Sequence, residues 1–525
     1  MLFEFEAEND ASIIAQGALL LSYYSTSSER HLNTFWLRIA IQSARADHAH
    51  HYDNDKSLTG YKRQMKKRLW WCCILRDRIM PLGLRRPLQI TGNHLNSAGQ
   101  GLTEEDFDED IGKSEVYDTE TQHLLAKILV AQCKLAIEMT DVITMVYPAD
   151  AANLVIAACE EDFNRISVET EKVKMKLIDW YETVDQWIST VLGKSHASVL
   201  LYASLLYIYY HSARLALFHH KILALEMWTS SLGEGQDTYV RQLDLFGGEL
   251  RSSAAAVTHI VQDLLRLNLG QYLPISTVAY TALPLVLSVL DVKVPANPSQ
   301  PRMHYVETYH KSMELYLNRY SGIGEVSSMM ERILEEAESN SRKVCLPPAF
   351  FSQREANHPS SSTSDWYEIF LLQPKFHLRV VLSFDLSFSN GKFPEDSDFP
   401  KQLRADQLEE VPYSHSLMLG EKNIDTNVLA SLFLQVSTLT LDRTDLEAPN
   451  MTPARRDLDF MDLINVTTRG RVWDMSMDLD LDAGDGDGDD FMDFFVEERN
   501  GEEGADDDRG WERVIWDLFD HAIPG

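Results

Sequence analysis

Three groups of side chains in this chain of 525 residues have the types and spacing that could do chemistry. Asp47, His48, His50 and His51 combine a carboxylate with imidazoles, and residues 47 and 51 would share one helical face, as metal ligands can. No thiol and no second ligand pair stands nearby, so a solvated helix terminus is the preferred reading. Asp478-x-Asp480-x-Asp482 and Asp485-x-Asp487-x-Asp489 have the spacing of calcium loops. Neither is complete: the sixth positions are Ala483 and Asp490 where glycine is required, and the twelfth are Asp489 and Val496 where glutamate is required. The third group is Asp77 with Arg85 and Arg86. Leu69, Trp70, Cys73, Ile74 and Asp77 recur at three- and four-residue spacing, which puts one carboxylate on an otherwise apolar helical stripe. A buried carboxylate needs a cation. The expectation is a helix, a turn at Pro81 and Gly83, and a return that brings Arg85 or Arg86 to Asp77.

Signatures of catalysis are absent from the sequence. It holds no Gly-x-Ser-x-Gly, no phosphate-cradling Gly-x-x-x-x-Gly-Lys, no His-Glu-x-x-His and no dinucleotide fingerprint after a strand. No catalytic residue, no metal site and no cofactor is expected in this chain.

The elements that must position Asp77 are helical. Residues 13–24 and 35–46 carry helical patterns around a Ser/Thr-rich turn at 25–28, the simplest reading being an α-helical hairpin. An acidic connection with little structure of its own is expected over 91–117. Helical spacing then resumes over 119–146, 162–192, 195–228, 237–267 and 275–290, and two more helices fall within 304–338. Residues 199–218 and 275–292 are the most apolar, but His211, Arg214, Pro284 and Asp291 interrupt them, so both read as buried helices and no membrane span is expected. Pro, Ser and Asp become frequent near Cys345, which marks a linker with short ordered pieces such as 366–372. The predicted fold class is all-α: a large irregular helical domain over 1–340, a low-order linker over 341–455 and a disordered acidic C-terminal tail over 456–525.

The stretch 67–90 resembles the regulatory (middle homology) domain of fungal binuclear zinc-cluster transcription factors. That family shows Arg-x-Trp-Trp, a helix ending in Asp-Arg, and Gly-Arg-Pro in this order. Here they stand as Arg68-Leu69-Trp70-Trp71, Asp77-Arg78 and Arg85-Arg86-Pro87. The glycine before Arg-Pro is replaced by Arg85, with Gly83 two residues earlier, a variation similar to the branch of cutinase and fatty-acid-catabolism regulators. The helix from Gln16 to Tyr24, with an inserted Gly17, and the Trp-containing helix after it extend the resemblance. It implies a chain that begins inside the domain, with the six-cysteine DNA-binding module and its zinc expected ahead of it. It implies a nuclear regulator of RNA polymerase II transcription that controls lipid or cutin catabolism or a secondary-metabolite gene cluster, with DNA reached only through the missing module or a partner. A DNA-free co-regulator or dominant-negative partner, dimerising with a full-length zinc-cluster factor, is the alternative. A small apolar ligand between helices would gate the domain.

Charge and cysteine usage set limits. The net charge of -32 argues against a broad phosphate-binding surface. Cys72, Cys73, Cys133, Cys159 and Cys345 form neither a disulfide framework nor Cys-x-x-Cys pairs, as in a reducing compartment. The one dense basic run, Lys62, Arg63, Lys66, Lys67 and Arg68, is a candidate nuclear import signal or else the outward face of its helix. Between residues 474 and 508 stand 16 acidic residues and one basic residue, with Met475, Leu479, Phe491, Phe494 and Phe495 interleaved. That is the composition of activation segments, though a solubilising tail or one docked on its own domain remains open. Trp511, Val514, Ile515, Leu518 and Phe519 follow at i, i+3, i+4, i+7 and i+8 with Trp516 beside them, an amphipathic helix suited to a coactivator groove.

Overall fold

Asp10, Thr59 and Asp118 each stand just before a helix and accept hydrogen bonds from backbone amides of its first turn. These residue types satisfy donors that the helix itself leaves unpaired. The helices they start are α1 (Ala11–Leu21), α3 (Gly60–Leu84) and α4 (Thr119–Val146), with α2 (Leu32–Ala46) between the first two. The chain continues through α5 (Glu160–Val191), α6 (Ala197–Thr229), α7 (Gln236–Arg266), α8 (Ser276–Lys293), α9 (Gln300–Arg319), α10 (Ile323–Lys343) and α11 (Pro374–Asn390). This is a computed structural model. It describes residues 8–343 except 25–30, 54–57, 97–100, 150–158, 230–235, 294–299 and 321, then 366, 370–371, 373–405 and 408, all within one compact unit. Every regular element among them is helical, so the fold is all-α.

Helix α6 organises the packing. Leu201, Leu205, Ile208, Ala213, Leu217, Ile222 and Leu225 are buried on every side of it, as expected of a helix that is apolar all round. α3, α4, α5, α7, α8 and α11 all pack on it. The α1–α2 pair closes a second cluster, in which Ala15, Leu19, Leu37, Ala40 and Ile41 meet Leu69, Trp70 and Ile74 of α3. No helix of the described residues is long and apolar enough to cross a membrane.

Three sequence expectations need correction. The turn at Pro81 and Gly83 is absent: α3 runs unbroken to Leu84. Proline deprives the Asp77 carbonyl of its helical donor, and Arg78 Nη1 lies 3.4 Å from that oxygen. Gly83 serves a close crossing instead, since a Cβ there would meet the Ala279 Cβ of α8 at 3.4 Å. The connection 91–117 is also more structured than its composition suggests. It contains a short helix, Gly92–Asn96, and a 3-10 turn, Glu104–Phe107, closed by a Thr103–Asp106 capping box. Finally, residues 374–405 are no linker. α11 begins with Pro374 in its first turn and ends at the left-handed Gly391, and it buries Phe376, Val380, Phe384 and Phe388. Arg379 ties it onward to Glu336 of α10 (2.9 Å), Asp396 (2.7 Å) and the Leu403 carbonyl (2.9 Å).

Candidate functional site

The site lies along α3 and divides into three tiers. In the first, the basic run meets carboxylates. Lys66 Nζ lies 2.9 Å from Asp47, Lys67 Nζ 2.8 Å from Asp106, and Arg68 2.6 Å from Asp110. Arg68 also donates to the Asp106 carbonyl and lies over the Phe107 ring at 5.0 Å. Lys66, Lys67 and Arg68 are therefore clamped by the segments around 47 and 103–110, which corrects the expectation of an outward basic face; Lys62 remains exposed. Trp71 Nε1 donates to the Tyr52 hydroxyl (3.1 Å), and Trp70 is sealed beside His50, whose ring centre is 5.5 Å away. Of the histidine group, His50 packs against the core at this corner while His48 and His51 are exposed. His50 is pushed down to about 4, first by burial and then by His51 and Arg45. Among the described residues no three His, Cys, Asp or Glu side chains gather as a metal-binding group.

In the second tier, Arg76-Asp77-Arg78 joins three helices. Arg76 Nε donates to the Ser22 hydroxyl (3.0 Å) and Nη2 to the Ser22 carbonyl (2.5 Å), while its guanidinium faces the Tyr23 ring at 3.9 Å. A cation here caps the C-terminal end of α1, where helix carbonyls are unpaired. Asp77 and Arg78 are fully sealed and pair with each other at 2.7 Å. Arg78 spends its other donors on Thr140 of α4 (2.9 Å) and the Ile90 carbonyl (2.8 Å). Asp77 accepts from the backbone amides of Gln89 (3.1 Å) and Ile90 (2.7 Å). Burial pushes the Asp77 carboxyl up to about 6, against the lowering pull of Arg78 and the two amides. The expected partners of Asp77 were Arg85 and Arg86. Because α3 does not turn back, the neighbouring Arg78 takes that role.

The third tier is the end of α3. Arg85 adopts the left-handed conformation (φ 58°) and the Arg86 amide bonds to the Pro81 carbonyl at 3.0 Å, closing the helix as a glycine normally would. This gives a physical reason for the glycine before Arg-Pro in the signature that this stretch resembles. Arg85 tolerates the conformation while its side chain bonds Asp385 of α11 (2.8 Å) and the carbonyls of Leu82 (2.7 Å) and Gly83 (2.8 Å). Arg86 reaches Thr34 of α2 (2.6 Å), His31 Nδ1 (2.8 Å) and the Ser389 carbonyl near the end of α11 (3.1 Å). Pro87 is exposed and follows the helix end. Beside Arg85 is a cavity of about 20 Å³, lined by Tyr147, Ser212, His219, Tyr280 and Asp385, room for a water or two. His219 and His377 meet at 3.2 Å through their Nε2 atoms, both held neutral by burial.

Sequence reasoning named Arg68, Trp70, Trp71, Asp77, Arg78, Arg85, Arg86 and Pro87, and the structure places all eight along one helix and its exit. It gave no role to Arg76, Asp106, Asp110 or Asp385. Arg76 was legible as a third charge on a largely apolar run, and Asp385 through the Pro374 start and Gly391 stop of its helix. Trp511, Val514, Ile515, Trp516, Leu518 and Phe519 lie outside the described residues.

Comparison with known proteins bears on this arrangement. The chain is 22% identical over 329 residues to cutinase transcription factor 1 beta of Fusarium vanettenii, covering 58% of this chain and 36% of that protein. It is 31% identical over 112 residues to cutinase transcription factor 1 alpha of the same organism, and 29% over 110 residues to a transcription factor of Fusarium pseudograminearum (strain CS3096), covering 12% of each. The chain thus spans about a third or less of the length of these relatives. No solved structure matches it. Residues 2–178, which hold all three tiers on the α3 side, match the fungal specific transcription factor domain.

Proposed function

We propose that the chain is the regulatory and activation portion of a fungal transcription regulator acting in the nucleus on RNA polymerase II genes. The observation that carries this reading is the matched domain, whose signature side chains are used here to join α2, α4 and α11 to a single helix. Such a body suits a regulatory role: it gathers distant segments on one scaffold. Residues 456–525 supply the acidic and aromatic composition that recruits coactivators. DNA is reached through a zinc-cluster module or a dimer partner outside these residues. The similarity to cutinase transcription factors supports lipid or cutin catabolism as the controlled pathway.

The test is a reporter assay with the whole chain fused to an unrelated DNA-binding domain. A second fusion lacks 456–525, and a third carries Trp511→Ala, Trp516→Ala, Leu518→Ala and Phe519→Ala. Activation by the first that collapses in the other two is expected. Silence of all three fusions, each present in the nucleus at equal amounts, would overturn the activation reading.

A further inference from the structure

The search beyond α3 leads to the groove between α9 and α10. Its free volume is about 610 Å³, within the 300–1,000 Å³ range of small-molecule sites. Val289 of α8, Met313 of α9 and Leu334 of α10 form the floor and are 3%, 5% and 4% exposed; Leu317 stands 46% exposed as one wall. Glu314, Glu331 and Glu335 complete the rim with His310, Asn318 and Ser327, and among the described residues no lysine or arginine lines the groove. The nearby cations of these helices are engaged elsewhere. Lys311 pairs with Glu307 at 2.7 Å, Arg332 lies over the Phe393 ring at 4.0 Å, and Arg319 donates to the Gln271 carbonyl.

An apolar floor with three carboxylates on its edge selects a guest with an apolar body and a positive end. Anionic amphiphiles meet the same floor but the wrong rim. We propose that this groove binds an amphiphilic organic cation, an apolar chain or ring system carrying an ammonium or amidinium group. This deepens the gated-regulator reading and sharpens the expected apolar ligand into a cationic one. Binding itself is measured without reference to transcription.

The test is calorimetric titration of the full chain with n-decylammonium, beside decyl sulfate and tetramethylammonium. Because the chain carries a net charge of -32, unspecific attraction must be separated from the site. Glu331→Gln/Glu335→Gln and the control Glu104→Gln/Glu105→Gln each remove two exposed charges, so they alter bulk attraction alike. Decylammonium is expected to bind one to one, with Kd about three- to tenfold weaker in the groove variant and under about twofold weaker in the control. Leu317→Gln, on an exposed side chain, is expected to weaken it similarly. Equal loss in both charge variants, equal binding of decyl sulfate, or no saturable binding would overturn the proposal. One-to-one binding together with silent reporter fusions would keep the site and remove the regulatory reading.

Discussion

Arg68 and Arg78 stand on the same helix and each meets an aspartate, yet their surroundings differ. Arg78 and Asp77 are fully sealed, and every polar atom around them is matched by backbone or Thr140. Arg68 and Asp110 retain side-chain exposures of 12% and 5%, and the acidic segment they anchor lies at the rim. The inner pair is costly to desolvate and holds because of its geometry; the outer pair is nearly as buried but less fully matched, the Arg68 Nε having no hydrogen-bond partner. One fixes how helices meet, and the other fastens a connection to them.

The comparison can be broken at several depths. Asp77→Ala leaves Arg78 and two amides unpaired in the core, so a loss of about 3–5 kcal/mol is expected in urea unfolding. A loss below that of the rim variants would show that the inner pair is not the anchor. The same carboxyl sets a pH dependence. Its folded pKa, about 6, exceeds the unfolded value of about 3.9, so the folded state binds more protons between them. The stability it contributes is fully present below about pH 4 and is lost as pH rises to about 6. Asp77→Asn is expected to flatten that slope relative to the parent, read by thermal unfolding across this range.

At the exit of α3, Arg85→Ala removes the Asp385 contact but keeps a side chain in the left-handed conformation, for an expected loss of about 2 kcal/mol. Arg85→Gly is expected to be about 1 kcal/mol milder, because glycine adopts that conformation freely. Equal losses would place the whole effect in the side chain. At the rim, Lys67→Ala or Asp106→Asn is expected to cost about 1–2 kcal/mol, with a smaller difference from the parent at 1 M salt. Exposed Lys62→Ala should stay within about 0.5 kcal/mol.

Much of this was legible in the residues. The limits of α4 coincide with its apolar spacing, Thr119–Val146, because Asp118 caps one end and the pattern stops at the other. The burial of Asp77 followed from its place on an apolar stripe. Its partner did not, because Pro81 and Gly83 read as a turn when considered locally. In the fold, Arg78 approaches the carbonyl that Pro81 orphans, and α8 fills the space that Gly83 leaves. α11 was hidden for a related reason. Its start and stop signals were present, but they lie in a Pro-, Ser- and Asp-rich region, and the surface that buries it comes from α3, α6, α8 and α10.

By itself the sequence determined the helical class, the extent of α4, and the demand of Asp77 for a cation, since these rest on spacing and residue type within a few turns. Only the tertiary structure decided which cation answered, that the acidic connection would clamp the basic run, and that Arg85 would be held by a residue 300 positions away. Those outcomes depend on which surfaces meet. Ion pairs and packing choose among local options by desolvation and geometry, which no single stretch of chain carries.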